Sequence, residues 1–266
     1  MTSKIFHTLL ALIILTLGGY PNIAKSQPLN NSNSTKQEKE LTINHLTGDY
    51  YIIKTYNTWK GKKYDSNSMY VVTRDGVVLL DGVWDTTKCQ SLLDYILKHH
   101  QKKVVLAIGT HFHDDRTGGF DYFQKQGIKT YSSKQTYDLC KSHHFEKAEF
   151  YFSKDTIFTV GEHTFQTYYP GEGHTKDNIV VWCRKQKVLY GGCLVNSLDR
   201  SSLGNIADAN LQAWPTSIKN VTQKFHKHQY VIPGHGEWTS NNALEHTLKL
   251  LDQHKPQEPL IQPLDN

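Results

Sequence analysis

The sequence feature that most limits the possible folds of this chain of 266 residues is a short apolar run followed by closely spaced histidines and aspartates. Residues 103–109 form the run, and their continuous hydrophobicity predicts a β-strand buried on both faces. His111, His113 and Asp115 follow, each separated from the next by one residue. In a turn at a strand end, two imidazoles and a carboxylate at this spacing can reach one ion, and zinc accepts both ligand types.

The strength of this motif depends on its full length. The chain has 15 histidines, and the adjacent pair at 99–100 shows that histidines also lie close together without any wider pattern. A bare His-x-His is therefore weak as a metal motif. The longer string continues through Arg116 to the glycine pair at 118–119, which lets the backbone turn closely around a site and start a helix. This complete string is far rarer by chance, and we interpret it as a metal site.

Three further potential ligands share the setting of this motif. His174, Cys193 and His235 each lie in a glycine-containing turn directly before or after an apolar strand. A lone histidine in a turn is most often a solvated loop residue. Three potential ligands in the same kind of turn instead favour a common site at one edge of a sheet. Six ligands exceed the three protein ligands of a single catalytic zinc, so the sequence predicts two zinc ions per chain.

Hydrophobic periodicity indicates an α/β fold in which sheets lie between helical layers. Apolar residues that share one face predict a helix that begins after Asp85, which can cap it, and a second helix around Pro215. Pro215 would kink the second helix or occupy its first turn. Cys89, Cys140 and Cys183 lie in apolar stretches and are predicted to be small buried hydrophobic residues. Strands are predicted at 50–56, 69–72, 77–80 and 230–232, with a polar loop at 58–68 and turns at 74–76, 161–162 and 184–187.

The N-terminus has the pattern of an export signal. Lys4 precedes an apolar stretch at 9–15 that is too short to span a bilayer, and Ala24 and Ser26 offer a small-residue cleavage site. A membrane-tethered N-terminus is the alternative, although no cysteine follows the stretch to accept a lipid. We predict a signal peptide at 1–26, a disordered polar leader at 27–40, one domain at 41–266, and a periplasmic protein with no membrane contact after signal cleavage.

The charge of the chain argues against one class of partner. The formal net charge is +5, and no basic run is interleaved with aromatic residues as a nucleic-acid groove requires. Hydrophobic residues make up 38% and charged residues 21%, which is ordinary for a soluble globular domain. We expect no nucleic-acid partner, and a monomer that binds a small molecule.

The ligand pattern resembles the metallo-β-lactamase superfamily over residues 42–255. Lactonases, glyoxalase II and ribonuclease Z-like enzymes of that superfamily usually carry a second histidine after the aspartate and a bridging aspartate further on. Here those positions hold Arg116 and Cys193, a pattern similar to the β-lactamases of subclass B1. Residues 203–210 and the Ala-Trp-Pro at 213–215 are also similar to that subclass.

The resemblance implies a fold, a metal centre and a reaction. The fold is an αββα sandwich of two mixed β-sheets flanked by helices, with the metal site at one edge. The reaction is hydrolysis of the β-lactam ring of penicillins, cephalosporins and carbapenems by a metal-bound hydroxide, which confers antibiotic resistance, with monobactams as poor substrates. One zinc would be held by His111, His113 and His174, and the other by Asp115, Cys193 and His235.

Further roles follow from the same resemblance. Asp115 would orient the nucleophile, and Asn205 together with the first zinc would stabilise the oxyanion. Asp81 matches a carboxylate that orients a zinc-bound histidine, although a turn or cap residue is an equal interpretation. Arg116 resembles a residue that supports the ligand network without touching substrate.

Substrate contacts are expected from two further residues. Many B1 enzymes place a lysine three residues after the ligand cysteine to bind the substrate carboxylate, whereas this chain has Asn196 there. Arg200, seven residues after Cys193, would replace it, unless it is only a solvated loop cation. Trp59, in the segment 58–68 that would cover substrates, offers an apolar surface, unless it packs only on its own hairpin.

Two other functions fit the same residues less well. A lactonase or thioesterase on this scaffold is disfavoured by Arg116 and Cys193. A zinc-binding protein without turnover is disfavoured by the presence of all six ligands together with Asn205. Carbapenem hydrolysis that EDTA abolishes and zinc restores would separate the three hypotheses.

Overall fold

Two mixed β-sheets form the centre of the fold in the computed structural model, which describes residues 40–254. The predicted signal peptide at 1–26, the leader up to residue 39 and the last residues, 255–266, lie outside the described residues. The strands of the first sheet are β1 (Leu41–Thr47), β2 (Tyr50–Trp59), β3 (Lys62–Thr73), β4 (Gly76–Leu80), β5 (Val104–Ile108), β6 (Lys129–Ser133) and β7 (Phe150–Phe152). They follow chain order across the sheet, antiparallel from β1 to β4 and parallel from β4 to β7.

The second sheet holds the remaining described strands. They are β8 (Ile157–Val160), β9 (His163–Tyr168), β10 (Val180–Cys183), β11 (Val188–Gly192) and β12 (Tyr230–Pro233). Their order is β12-β11-β10-β9-β8, and every pair is antiparallel except β11 with β12. The parallel pair is possible because a long segment that includes a helix connects its strands.

Helices flank the two sheets. They are α1 (Cys89–His100), α2 (Asp114–Thr117), α3 (Phe120–Lys125), α4 (Lys134–His143), α5 (Trp214–Lys224) and α6 (Ala243–Gln253). One buried cluster joins the first sheet to α1 and α3, through side chains that include Leu92 and Phe120. Another joins the second sheet to α5 and α6, through side chains that include Ile218 and Leu251, and a third fills the space between the sheets. The predicted αββα sandwich is therefore confirmed.

Local sequence accounts for several element boundaries. The turns at 161–162 and 184–187 join antiparallel strands, as predicted. Pro215 occupies the first turn of α5, where a residue without an N–H loses no helical hydrogen bond. Asp85 caps a short 3₁₀ helix, Thr86–Lys88, which leads directly into α1.

Residues 58–68 differ from the predicted polar loop. β2 and β3 continue to pair up to the turn at Lys60 and Gly61, whose φ values are 49° and 73°. Positive φ at both central residues matches the twist of a two-residue hairpin. The side chains at 58–63 are all exposed, so no hydrophobic alternation marks these strands in the sequence. We call residues 58–63 the hairpin arm.

The topology brings several strand ends to one edge of the sandwich. β11 and β12 are parallel and end there, and β10, antiparallel to β11, begins there. The end of β5 in the first sheet joins them, because Ile179 N donates to Thr110 O across the sheets (2.9 Å). The hairpin arm projects from this edge as well, since β3 pairs with the end of β4 at Met69 and its earlier residues extend beyond it. All six predicted ligands lie at this edge, five of them in loops and Asp115 in the short helix α2.

Two further sequence features can be compared with the described residues. Cys89, Cys140 and Cys183 are buried in apolar clusters and form no disulfide, as predicted for small hydrophobic residues. Within residues 40–254, no helix has the length and hydropathy needed to cross a membrane.

Candidate metal centre

Three histidine nitrogens converge between the end of β5 and the loop before β10. His111 Nε2 lies 3.1 Å from His113 Nδ1, and His174 Nε2 lies 3.3 Å from the same atom. With zinc–nitrogen bonds of about 2.0–2.1 Å, tetrahedral ligand atoms lie about 3.3 Å apart. The three nitrogens therefore have the separation expected around one ion. His111 and His174 are buried and His113 is partly exposed, so the group opens toward solvent on one side.

The outer ring nitrogens of these histidines are held differently. His113 Nε2 donates to Asp208 Oδ2 (2.9 Å), which leaves the Nδ1 lone pair facing the other two rings. His111 Nδ1 and His174 Nδ1 are buried without a hydrogen-bond partner among the described residues. Burial lowers the pKa of His174 to about 3 and the pKa of His111 well below its usual value. Both rings are therefore neutral near pH 7 and able to bind a metal ion.

Asp115, Cys193 and His235 form a second group of donor atoms. Asp115 Oδ2 lies 3.0 Å from His235 Nε2 and 3.5 Å from Cys193 Sγ, which is itself 3.2 Å from His235 Nε2. His235 Nδ1 donates to the Asp65 carbonyl (2.5 Å), so the Nε2 lone pair faces the carboxylate and the sulfur. Electron-pair donors that point at one another need a cation or protons between them. A carboxylate, a thiolate and an imidazole are a ligand set that suits zinc.

The two groups adjoin each other. The ligand atoms of His111, His174 and Cys193 lie within 4.8 Å of one another, although these residues belong to different groups. The structure therefore brings all six predicted ligands into one site, and the donor atoms fit two neighbouring divalent ions.

A buried arginine fixes the orientation of the second group. The Arg116 side chain is fully buried, and its Nη2 lies 2.8 Å from Asp115 Oδ2. It also donates to the carbonyl oxygens of Asn67 (2.7 Å) and Gly234 (2.9 Å), so it ties β3 to the loop that carries His235. Burial alone would raise the pKa of Asp115, but Arg116 and His235 hold it well below its usual value. The carboxylate is therefore ionised throughout the neutral range.

Cys193 packs so closely against Gly234 that a side chain at position 234 would not fit. A Cβ at Gly234 would lie 2.7 Å from both the backbone N and the Sγ of Cys193, so only glycine fits beside the thiol. Burial raises the pKa of the Cys193 thiol well above its usual value. The thiolate therefore needs positive charge close by, which a bound divalent ion would supply.

Asp81 does not have the predicted contact with a ligand histidine. It accepts hydrogen bonds from Thr110 N (2.7 Å), Tyr190 OH (2.7 Å) and Arg116 Nη1 (3.2 Å), and among the described residues no histidine bonds to it. The prediction that Asp81 orients a zinc-bound ring is therefore wrong in this structure. Asp81 instead holds the residue before His111 and the arginine that follows Asp115.

Asp208 contacts a ligand histidine, although its role was not predicted from the sequence. It lies in the loop between β11 and α5, three residues after Asn205. The available signal was a carboxylate in a loop already assigned to the site. Asn205 itself is exposed, and its Oδ1 accepts from Ala207 N (3.3 Å). Asp208 thus brings the loop next to His113, whereas the Asn205 side chain bonds within the loop itself.

Arg200 and Trp59, which with Asn205 are predicted to contact substrate, have partners within the protein. Trp59 is 39% exposed at the base of the turn in the hairpin arm, where Lys60 Nζ lies 4.3 Å from its ring centre and Tyr64 packs edge-on. Arg200 forms an ion pair with Asp65 through Nη2. Neither side chain is a free surface group, and both lie on segments that border the site.

Comparisons with known proteins agree with this geometry. A family model described as "Metallo-beta-lactamase superfamily" matches residues 61–244. A protein named metallo-beta-lactamase type 2, from Elizabethkingia meningoseptica, is 42% identical over 84% of this chain and 90% of its own length. Metallo-beta-lactamase IND-1, from Chryseobacterium indologenes, is 40% identical over 83% of this chain and 92% of its own length.

Solved structures give the same result. Metallo-beta-lactamase IND-7 is 40% identical and aligns with a TM-score of 0.78 over 81% of this chain and all 100% of its own. A metallo-beta-lactamase from Pontibacter korlensis is 36% identical and aligns with a TM-score of 0.77 over 81% of this chain and 100% of its own. Sequence and fold therefore agree along the length that carries the metal centre, and this chain belongs to the metallo-β-lactamase superfamily, as its predicted resemblance to subclass B1 implied.

Proposed function

We propose that this protein hydrolyses the β-lactam ring of penicillins, cephalosporins and carbapenems, and thereby confers antibiotic resistance. The observation that carries the proposal is that two different groups of donor atoms converge. One group is three histidines, and the other is Asp115, Cys193 and His235. The names of the similar proteins, all metallo-β-lactamases, support the same reaction. The presence of a thiol in the second group favours a β-lactamase over the lactonases and thioesterases weighed above.

The cofactor of this reaction would be two zinc ions per chain. His111, His113 and His174 would hold one ion, and the remaining three ligands would hold the other. Bound zinc supplies positive charge that lowers the pKa of water and polarises a carbonyl group. The partly exposed side chains of His113 and His235 leave room for water and substrate on the solvent side.

Four residues beside the metal centre would have separate roles in hydrolysis. Asp115, ionised and held by Arg116, would accept a hydrogen bond from the attacking water and fix its direction. The Asn205 amide would donate to the carbonyl oxygen as negative charge develops there. Arg200 would pair with the carboxylate of the substrate, and Trp59 would contact its apolar substituents.

One experiment separates this function from its competitors. Purified protein is incubated with a carbapenem, and loss of the ring is followed by absorbance before EDTA, after EDTA and after added zinc. We expect turnover that EDTA abolishes and zinc restores, with little activity on a lactone or a thioester. Turnover of the lactone or thioester alone would favour the other hydrolases, and no turnover at two zinc ions per chain would favour a binding protein.

We also propose that the mature protein is periplasmic and monomeric. The support for export is the charged, apolar and small-residue pattern of residues 1–26. N-terminal sequencing of protein from a periplasmic extract should begin near residue 27, and size-exclusion chromatography should give the mass of one chain. A membrane-bound protein that retains its first residues would contradict the proposal.

A further inference from the structure

Asp65 on β3 is the meeting point of several contacts beside the metal centre. Its side chain is only 14% exposed, and its Oδ1 pairs with Arg200 Nη2. The Oδ2 atom lies 3.1 Å from Lys54 Nζ and accepts from Gly236 N (2.9 Å). The backbone carbonyl of the same residue accepts from His235 Nδ1 (2.5 Å). One residue therefore contacts a ligand histidine through its backbone and the predicted substrate-binding arginine through its side chain.

The charges around Asp65 balance one another. Lys54 Nζ lies 3.1 Å from Asp65 Oδ2 and 3.7 Å from Glu237 Oε1, and Lys54 is almost completely buried. Lys54 and Arg200 therefore face the carboxylates of Asp65 and Glu237. Arg200 would bind a further anion through the N–H groups that its pairing with Asp65 leaves unused.

The backbone of Arg200 is also fixed. Its N–H donates to Ser197 O (3.1 Å), and its carbonyl accepts from His246 Nε2 (2.8 Å) on α6. A long arginine side chain on such a backbone still loses rotamer freedom when it binds a ligand, and an ion pair that already orders it reduces that loss. A guanidinium has five N–H groups, so one pairing through Nη2 leaves others for a second anion.

We propose that Asp65 is a positioning residue that holds the Arg200 guanidinium at the rim of the metal centre, ready to bind the carboxylate of the substrate. The inference rests on the proposed β-lactamase function for its substrate. It assigns the ion pair a role in substrate affinity. It assigns the separate backbone contact to the orientation of His235.

The carboxylate and the backbone carbonyl can be tested separately. Asp65→Asn keeps the backbone carbonyl that contacts His235, removes the negative charge, and replaces one of the two carboxylate acceptors by an amide donor. We expect this variant to raise KM for a penicillin by about threefold to tenfold, with kcat changed by less than about twofold. Arg200→Gln should raise KM to a similar extent, and the double variant should be no worse than Arg200→Gln alone. Asp138→Asn is the matched control, because Asp138 is an exposed residue of α4 that pairs with Lys134.

Two further measurements do not depend on turnover. The zinc content of Asp65→Asn should equal that of the unchanged protein, because the backbone contact to His235 remains. In metal-free, ¹⁵N-labelled protein, the Nε–Hε signal of Arg200 should shift or broaden in Asp65→Asn but not in Asp138→Asn. Substitution at Arg200 assigns that signal.

Several results would overturn the inference. A lower KM in Asp65→Asn would mean that Asp65 competes with the substrate for Arg200. Additive effects in the double variant would show that the two residues act independently, and loss of zinc would show a structural role. If the unchanged protein hydrolyses no β-lactam, the proposed function fails, whereas an unchanged Arg200 signal in Asp65→Asn would refute the positioning role by itself.

Discussion

The buried guanidinium of Arg116 lies against the carboxylates of Asp115 and Asp81 and the carbonyl oxygens of Asn67 and Gly234. Arg116→Ala would leave both carboxylates without their charge partner and both carbonyls without a donor. We expect this substitution to lower the free energy of unfolding by about 3–5 kcal/mol, because a buried charge left unpaired is strongly destabilising. Urea unfolding of the metal-free protein measures it.

Arg116→Lys should give an intermediate loss, since a single ammonium cannot reach all the acceptors that a planar guanidinium serves. Lys134→Ala, which breaks an exposed pair with Asp138, is the control and should change little. A loss for Arg116→Ala no larger than that of the control would show that the buried network does not stabilise the fold.

Asp208 provides the second prediction at the scale of a residue. Its carboxylate accepts from His113 Nε2, which fixes the ring so that Nδ1 faces the site. Asp208→Ala should weaken zinc binding by about tenfold, at the low end for such outer partners because Asp208 is partly exposed. Competition with a chromophoric chelator measures the affinity, and Asp75→Ala, on the exposed β3–β4 turn, is the control. Equal affinities would mean that the ring needs no outer partner.

The predictability of these residues depends on where their partners lie in the sequence. The six ligands are recognisable because three follow one buried strand at one-residue spacing and the other three lie in glycine-containing turns beside strands, and strand ends share an edge. Asp208 and Asp65 are not recognisable, because their contacts form only when distant loops return to that edge. The predicted contact between Asp81 and a ligand histidine was wrong for the same reason, because the hydrogen-bond partners of Asp81 depend on how the strand ends pack.

At the scale of elements, the hairpin arm carries the prediction for Trp59. The arm is exposed on both faces, so Trp59→Ala should change the stability of the fold little. It should raise KM about threefold or more for substrates with large apolar side chains and leave small substrates unaffected, because only the former bury the indole.

Steady-state kinetics on a matched pair of cephalosporins checks this expectation. Tyr151→Ala, which removes an exposed aromatic side chain from β7, is the control. Equal KM values for bulky substrates in Trp59→Ala and the unchanged protein would leave Trp59 with its contacts to Lys60 and Tyr64 alone.

The hairpin arm also shows what element prediction from sequence can miss. The halves of β2 and β3 that were predicted, 50–56 and 69–72, are rich in apolar and aromatic residues that favour a strand. Residues 58–63 bury neither face, so their strand pairing depends on the turn at Lys60-Gly61 and leaves no hydrophobic pattern. Helix α5 was easier to predict, since its apolar face packs on the second sheet.

At the scale of the whole molecule, the buried histidines predict how stability depends on pH. In the fold, burial lowers the pKa of His174 to about 3 and the pKa of His111 below its usual value. An unfolded histidine titrates near about 6.5. Below that pH the unfolded chain binds protons that the folded protein cannot, so the stability present above about 6.5 is lost as the pH falls.

Each histidine contributes a slope of at most about 1.4 kcal/mol per pH unit in this range. Urea unfolding of the metal-free protein at about pH 7 and about pH 5.5 measures the sum. His174→Gln should remove roughly half of the difference between the two values. A stability that does not change between these pH values would contradict the lowered pKa values.

The arrangement of layers was predictable only in part. Periodicity indicated sheets between helices, but the pairing of β11 with β12, and of the first sheet with the second, depends on contacts far apart in sequence. The resemblance to a known family predicted the αββα order that local patterns left open. The strongest sequence signal was thus chemical, because ligands need fixed spacing whereas core residues need only suitable size and hydrophobicity.

The ligands come from both sheets, so metal binding should stabilise the molecule as a whole. His111, His113 and Asp115 follow β5 of the first sheet, whereas Cys193 and His235 follow strands of the second. Free zinc at about 100 times its dissociation constant would add about 2.7 kcal/mol, which for a domain of this size corresponds to about 5–10 °C in Tm.

Thermal unfolding with and without EDTA measures that shift, and metal analysis verifies that zinc has left. Added zinc should restore Tm, whereas calcium should not, because it prefers oxygen ligands to imidazole and thiolate. Cys193→Ser should lose part of the shift, since one ligand group remains intact. If Tm is the same with and without zinc, the loops at this edge are held by the Arg116 network alone, and the ions contribute only to catalysis.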